Sequence, residues 1–372
     1  MAGEQDLDTF RAAAAAWLAE HREGAPPDYG AIVPPELVDE AKAWQRSLFD
    51  AGWAGPHWPV ADGGGGRTPD HQAVWLEEAA TAGVPPFLNM VGLVLAGGAL
   101  LAFGTDEQRS DHLGPTLRGE RVWCQLFSEP GSGSDLASLA TRAVPDGDGW
   151  VVSGQKTWCS NGRVADWGIL LARTDADAAA HRGISFLLLD MASPGVEVRP
   201  IRQMTGGSSF DEVFLDEVHV PGSCLVGPEH GGWGVAMATL TNERGHIGAL
   251  AIAVDAQVDD VLRQPADGAV AAAAGARLLA RPRVLRHLGR RQGPVASTAA
   301  SLMKLGITEL VFDLAEAGVD RAGPSGMLEG AAVGGLLAAP GARIAGGTSQ
   351  VQRTIIGELL LGLPREPRPT RP

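Results

Sequence analysis

The chain of 372 residues predicts an α+β fold, and three observations carry that reading. Apolar residues recur at helical spacing from residue 7 to about 120. The period then shortens to that of strands as far as about 224, and helical spacing returns from about 231 to 362. The boundaries drawn on that basis are a helical domain over 1–121, a β-domain over 122–224 and a second helical domain over 225–372. With 45% hydrophobic and 20% charged residues the composition is that of a folded globular protein, and the length suits two or three packed units. No internal repeat interrupts the order.

In the first block, PPELVDEAKAWQRSLFDAGW places Leu37, Ala41, Trp44 and Leu48 on one helical face, with prolines that suit a helix start before it. NMVGLVLAGGALLAF, residues 89–103, is the longest apolar run. It falls short of the roughly 20 residues that span a bilayer, so it reads as a buried helix. Thr105-Asp-Glu-Gln has the form of a capping box and opens a further helix. In the second block, WVVSGQKTW, WGILLART, GISFLLLD and FDEVFLDEVHV are short runs rich in Val, Ile, Leu and Phe, separated by Gly, Asp and Asn turns. In the third, helical spacing runs through MATLTNERGHIGALAIAVDAQVDDVL, STAASLMKLGITELVFDLAEAG and VQRTIIGELLL. The intervening RQPADGAVAAAAGARLL is low in complexity and has no assignment.

The formal net charge is −14. An acidic chain without a basic tract or interleaved aromatics lacks what neutralises phosphates, which excludes nucleic acid and anionic membranes as partners. An anionic ligand would have to be held by a few local arginines and backbone N–H groups. Cys124, Cys159 and Cys224 match no metal-site spacing, and an odd, sparse count fits a reducing cytoplasm. The N-terminal MAGEQDLDTF has neither the basic nor the apolar region of a signal peptide. The expectation is a cytoplasmic protein that holds no metal.

Residues 128–135 read SEPGSGSD, small residues between two carboxylates. Alone, such a stretch is either an exposed turn or a place where a ligand touches the backbone. It is not a Walker loop, because no Gly-Lys-Ser/Thr follows it. Two further motifs accompany it, GQKTWCSNG at 154–162 and IAGGTSQVQR at 344–353.

Together these motifs resemble those of the flavin-dependent acyl-CoA dehydrogenase family, over about residues 35–366. QLFSEPGSGSD is similar to that family's aromatic-x-x-Ser/Thr-Glu-Pro-x-x-Gly-Ser-Asp signature, GQKTWCSNG to its Gly-x-Lys-x-Trp-Ile-Ser/Thr-Asn, and GGTSQVQR to its Gly-Thr-Ser/Asn-x-Gln/x-x-Arg. HVPGSCLVG and GWGVAMATLTNERG match the usual passage into the third domain. The resemblance implies an N-terminal helical domain, a middle β-barrel-like domain and a C-terminal four-helix bundle, with FAD as cofactor.

It also implies roles. Gln125 to Ser128 would run along the flavin ring, with backbone groups of Phe127 and the N–H and hydroxyl of Ser128 on its pyrimidine side. Gly133 and Ser134 would lie under the pyrophosphate, where a missing side chain lets N–H groups approach an anion. Ser134 would also reach the CoA arm. Trp158 would cover one face of the isoalloxazine, although a tryptophan at a strand end is more often plain core. Ser160 would donate to flavin N5, where negative charge builds. Thr348 and Gln350 would contact the adenosine half.

Two departures from the family pattern stand out. Many members carry a catalytic glutamate where this chain has Gly346, which cannot take a proton but whose N–H can still hold the thioester oxygen. Glu243-Arg244 matches the alternative position, used by a minority of the family, of base and substrate-orienting arginine. The plain alternative for Glu243 is an ion pair with a neighbouring arginine. The second departure is an absence: no phenylalanine occurs between Phe214 and Phe312, so the Arg-x-x-Phe-Gly segment that reaches a neighbouring subunit's FAD is missing. VDRAGPSG likewise replaces a cross-subunit Gln-x-x-Gly-Gly. The pattern resembles one subunit of the α2β2 acyl-CoA dehydrogenases that actinobacteria use on steroid side chains.

The expected activity is therefore FAD-dependent α,β-dehydrogenation of an acyl-CoA. Electrons would pass to an electron-transfer flavoprotein or a similar acceptor, and the assembly would be an oligomer, with a heterotetramer containing a paralogous subunit as one form. A catalytically silent subunit and a flavin oxidase or monooxygenase on the same fold are the alternatives. Retention of Glu243, Ser128, Trp158 and Ser160 speaks against the silent one.

Overall fold

The computed structural model describes residues 2–30, 32–241, 254, 257–263, 269–289 and 296–365. They fall into two compact units, Met1–Gly245 and His246–Pro372.

The first unit opens with helices α1 (Ala2–His21), α2 (Val38–Asp50) and α3 (Pro69–Ala82). A cluster of indoles holds them together: Trp53 and Trp75 stack at 5.3 Å and Trp17 lies 5.4 Å from Trp44. Ala41, Trp44 and Leu48 of α2 are buried as their spacing predicts, whereas Leu37 is half-buried in the 3₁₀ turn Pro35–Leu37. Residues 85–89 form no helix, and Pro85 and Pro86 have no N–H to donate. Side chains bond this backbone instead, as burial demands. Trp44 donates to the Pro85 carbonyl (2.8 Å) and Trp75 to that of Pro86 (3.0 Å). Tyr29 donates to the carbonyls of Phe87 and Leu88, and the Leu88 N–H donates to Gln45.

The apolar run 89–103 is a buried helix, but its first turns, Val91–Ala96, are π-helical before it continues as α4 (Gly97–Phe103). Trp58 packs so close to this helix that a Cβ on Gly97 would lie 2.2 Å from the indole. Thr105 and Gln108 make the predicted reciprocal capping box at the start of α5 (Asp106–Leu117).

The strands are β1 (Trp123–Leu126), β2 (Arg142–Asp146), β3 (Gly149–Ser160), β4 (Trp167–Arg173), β5 (Ile184–Asp190), β6 (Val196–Ile201), β7 (Phe210–Val220) and β8 (Leu225–Val226). They form one sheet in the order β6-β7-β3-β2-β4-β5-β8, with β1 parallel beside β4. The predicted runs are β3, β4, β5 and β7. The charged, proline-containing β2 and β6 lack the apolar signal because most of their residues face solvent. Cys124, Leu126, Val152, Cys159, Leu170, Leu187, Val213 and Leu215 form the sheet's core. Burial pushes the Cys159 thiol up to about 12, and Cys124 in the same direction, so neither is a nucleophile at neutral pH. Helix α6 (Gly232–Thr241) ends the described part of this unit.

In the second unit α7 (Ala269–Gly289), α8 (Ala296–Ala322), α9 (Ala331–Ile344) and α10 (Ser349–Ile355) follow one another. Helix α8 packs against each of the other three. Leu278, Leu285, Met303, Ile307, Leu310 and Leu314 lie in the shared core with Val254 and Val258. Within the alanine-rich stretch, the part from Ala269 onward is helix α7.

Candidate active site

Beyond the end of β1 the chain stays beside β3, where the Ser128 carbonyl accepts from the Thr157 N–H at 2.9 Å. One buried side chain organises this edge. Lys156, 0% exposed, donates to the Phe127 carbonyl (3.1 Å) and to Glu129 (2.8 Å). Glu129 in turn accepts from the N–H groups of Ala140 (2.6 Å) and Thr141 (2.9 Å). Burial pushes the Glu129 carboxyl up, but the ammonium and these donors outweigh burial and hold it below the usual carboxylate range.

From Glu129 the loop closes on itself. Glu129 and Ser132 exchange backbone hydrogen bonds of 3.0 Å, and the Ser132 hydroxyl donates to the Asp135 carbonyl. Gly133 and Ser134 protrude from this knot, exposed. Their N–H groups, and the N–H and hydroxyl of Ser128, have no hydrogen-bond partner among the described residues. Gly133 has no positive φ, and a Cβ added there would meet no atom of the described residues within 4 Å. The fold itself does not demand this glycine.

Trp158 is not core. A register shift against β7 between Lys156 and Cys159 lifts it out of the ladder, at φ +59° and 58% exposed, with Phe210 edge-on at 6.0 Å. A bulky residue at positive φ is costly, and a bulge is a device for re-aiming a side chain. Here it presents a flat apolar ring to solvent. Ser160 ends β3 two residues later, half-buried, its hydroxyl without a partner among the described residues.

In the second unit the GGTSQ turn joins α9 to α10, with Gly346 at φ +61° and Gly347 at φ +89°. Lys304 on α8 donates to the carbonyls of Gly347 (2.6 Å) and Arg343 (3.3 Å). Glu309, one turn further on, pairs with Arg343 (2.6 Å) and Arg353 (3.3 Å). The Thr348 hydroxyl caps α10 by accepting from the Val351 N–H, which leaves its own proton free to donate, and Gln350 is exposed.

Thus Gln125 lies in β1, Phe127 and Ser128 follow where that chain runs beside Thr157 and Trp158 of β3, Ser160 ends β3, and Gly133 and Ser134 stand in the loop that leaves Glu129. Gly346, Thr348 and Gln350 share one turn of the second. Glu243 and Arg244 lie outside the described residues. Sequence reasoning did not assign the Lys156–Glu129 pair, nor Lys304 and Glu309, which separately hold the backbone and the arginines of the second turn. A partial signal for Lys156 was present, since a lysine within a strand run that includes Val151, Val152 and Trp158 needs a partner if its side chain faces inward.

These residues fit FAD. Unpartnered N–H groups on a loop of small residues suit a pyrophosphate, an exposed indole suits a planar ring, and the Ser128 and Ser160 hydroxyls, without partners among the described residues, can donate to a polar ring edge. Among the described residues no helix is long and apolar enough to cross a membrane.

Family models match in chain order: Acyl-CoA dehydrogenase, N-terminal domain, over residues 4–120; the middle domain over 124–218; and the C-terminal domain over 230–361. Acyl-CoA dehydrogenase IpdE1 of Mycobacterium tuberculosis is 36% identical over 97% of this chain and 99% of its own length. Acyl-CoA dehydrogenase FadE34 of the same organism is 40% identical over 92% of this chain, which spans only 49% of FadE34. Among solved structures, the Tcur3481-Tcur3483 steroid ACAD is 28% identical with a TM-score of 0.83, covering 97% of this chain and 98% of that one. The ChsE4-ChsE5 complex of Mycobacterium tuberculosis is 26% identical with a TM-score of 0.78, covering 97% of this chain and 98% of that one.

Proposed function

Because the chain belongs to the acyl-CoA dehydrogenase family, we propose that it desaturates a bulky acyl-CoA between Cα and Cβ, as one subunit of a heteromer. The single observation that carries the site assignment is the re-aimed Trp158, set beside the unpartnered donors of Ser128 and Ser160. FAD, when bound, supplies the acceptor for the hydride that leaves Cβ. The residues do the rest. Glu243 takes the α-proton, Arg244 orients the thioester, and the Gly346 N–H polarises its carbonyl. Trp158 covers one face of the ring and keeps water from it, while Gln125, the backbone of Phe127 and Ser128 line its edge. Ser160 places a donor where charge develops. Gly133 and Ser134 hold the pyrophosphate with N–H groups, Ser134 extends to the CoA arm, and Thr348 and Gln350 take the adenosine half. The domains carrying these residues are 1–121, 122–224 and 225–372, and an electron-transfer flavoprotein or similar acceptor takes the electrons onward.

Gly133→Val tests the cradle. Neither φ nor packing requires glycine there, so the FAD-free protein should keep its melting temperature while FAD retention collapses. A variant that holds FAD like the parent would remove the phosphate assignment.

The names of the similar steroid ACAD and of the ChsE4-ChsE5 complex support a paralogous partner and a steroid-sized acyl group. So does the absence of phenylalanine between Phe214 and Phe312, where a cross-subunit segment is expected. Expressed alone, the chain should be poor in flavin, and co-expression with such a paralogue should restore it. Lost charge-assisted contacts of roughly 1.5–3 kcal/mol each would lower affinity by orders of magnitude. A homotetramer of this chain alone with tightly bound FAD in every subunit would end the heteromer reading.

A further inference from the structure

The motif GQKTWCSNG continues past Ser160 into a turn. Asn161, next in sequence, is 5% exposed and held at φ +63°. Its amide nitrogen donates to the Val33 carbonyl (2.6 Å), and its amide oxygen accepts from Asn89 (2.9 Å). Asn89, 3% exposed, uses its own oxygen to accept from the Gly92 N–H at 2.7 Å. Two buried amides therefore form an unbroken chain of hydrogen bonds from the π-helical turn Val91–Ala96 to the residue after Ser160. The turn that Asn161 opens, residues 161–164, is pinned on its other side as well. Asp211 of β7, 1% exposed, accepts from the Arg163 N–H (3.0 Å) and guanidinium (2.6 Å).

This arrangement is more than a satisfied core. Glycine would meet the backbone requirement at positive φ, so the asparagine side chain is present for what it bonds. A neutral amide can also receive on one side and donate on the other without bringing a charge beside the flavin edge. π-Helical turns are rare and concentrate at functional sites. In this one Leu93 and Val94 stay half-buried, while residues 85–89 leading into it are fixed by side-chain hydrogen bonds.

We propose that Asn89 and Asn161 are positioning residues that lock Ser160 to the N-terminal helices, so that the π-helical turn and the flavin edge keep one fixed geometry. The inference rests on the assignment of Ser160 to the flavin in the function proposed above. It adds a second-domain control over that donor.

The test uses the full chain loaded with FAD, in whatever assembly holds it. Asn161→Gly keeps the backbone conformation and removes the link. Asn89→Asp keeps an acceptor for Gly92 and removes the donor to Asn161. Ser160→Ala is the reference. The readouts are the visible flavin spectrum at equal FAD content, amide hydrogen exchange at Gly92 and Ser160, and the rate of flavin bleaching by acyl-CoA. Both link variants should shift the spectrum in the direction of Ser160→Ala and slow bleaching roughly 10- to 100-fold, the scale of a small misplacement. Each should speed exchange at the far end of the link, and the double variant should add little to either single one. If Ser160→Ala changes the spectrum and both link variants leave it at the parent's, the link does not position Ser160 and the inference fails alone. If Ser160→Ala changes nothing, the Ser160 assignment fails and takes the inference with it. Should Asn161→Gly not fold, Asn89→Asp decides by the same criterion.

Discussion

Lys156→Met should destabilise the first unit by about 3–5 kcal/mol and leave a protein that binds FAD poorly. The side chain is 0% exposed, and its ammonium joins the Phe127 carbonyl to Glu129. Methionine fills a similar volume, so the loss is electrostatic. It strands a carboxylate that is 8% exposed, with two backbone N–H donors and no countercharge. Glu129→Gln should cost less, because its amide can still accept from those donors. The double variant should recover part of the loss, since a buried pair replaced as a unit is often near neutral. Chemical denaturation of the four proteins gives the coupling directly. A Lys156→Met protein within about 1 kcal/mol of the parent would show that the pair is not what holds this edge. The pair also sets an acid limit. The folded Glu129 carboxyl lies below its ordinary value of 4.5, so its contribution is complete above that pH and is lost as pH falls through the folded value. Gly133, Ser134 and Ser128 hang from this clasp, which is why stability and FAD retention should fall together.

The contrast between Lys156 and Trp158 marks what can be read from the residues. Helix faces such as Ala41, Trp44 and Leu48, and runs such as ISFLLLD in β5, follow from periodicity because one burial direction decides them. The motifs could be located for the same local reason. What escaped depends on partners far apart in the chain. Lys156 and Glu129 are 27 residues apart and Asn89 and Asn161 are 72 apart. Nothing local in the sequence names the partner of any of them. Trp158 could be assigned only through its motif, since a tryptophan at a strand end is more often core and the bulge against β7 that exposes it leaves no mark in the sequence. The π-helical turn has no periodic signature, for its residues are as apolar as those of the α-helix it interrupts. Strands β2 and β6 were missed because their charges and prolines point outward, where nothing selects against them.

Glu243→Gln should leave FAD and acyl-CoA binding intact while slowing flavin bleaching by at least about a hundredfold, within the roughly 10²–10⁴ that a positioned base contributes. The α-proton of a thioester is weakly acidic, so its removal needs a carboxylate on one side of the Cα–Cβ bond, the flavin on the other, and donors on the carbonyl oxygen. Candidates can be eliminated by their commitments. Glu129 is buried against Lys156 and two N–H groups. Glu309 is shared by Arg343 and Arg353. Asp135 is exposed beside Gly133 and Ser134, in the loop assigned to the pyrophosphate. Gly346 has no carboxylate to offer, and at φ +61° it is a position where side chains are strained. A Cβ there would nevertheless meet no atom of the described residues within 4 Å. Glu243, before Arg244, is the acid that the family pattern offers as the base. Glutamine is nearly isosteric and accepts no proton, so the substitution separates proton removal from binding. Rapid mixing of the assembled, FAD-loaded variant with an acyl-CoA reads the step directly. Bleaching at the parent rate would mean that another group takes the proton, and that Glu243 serves only to pair with a neighbouring arginine.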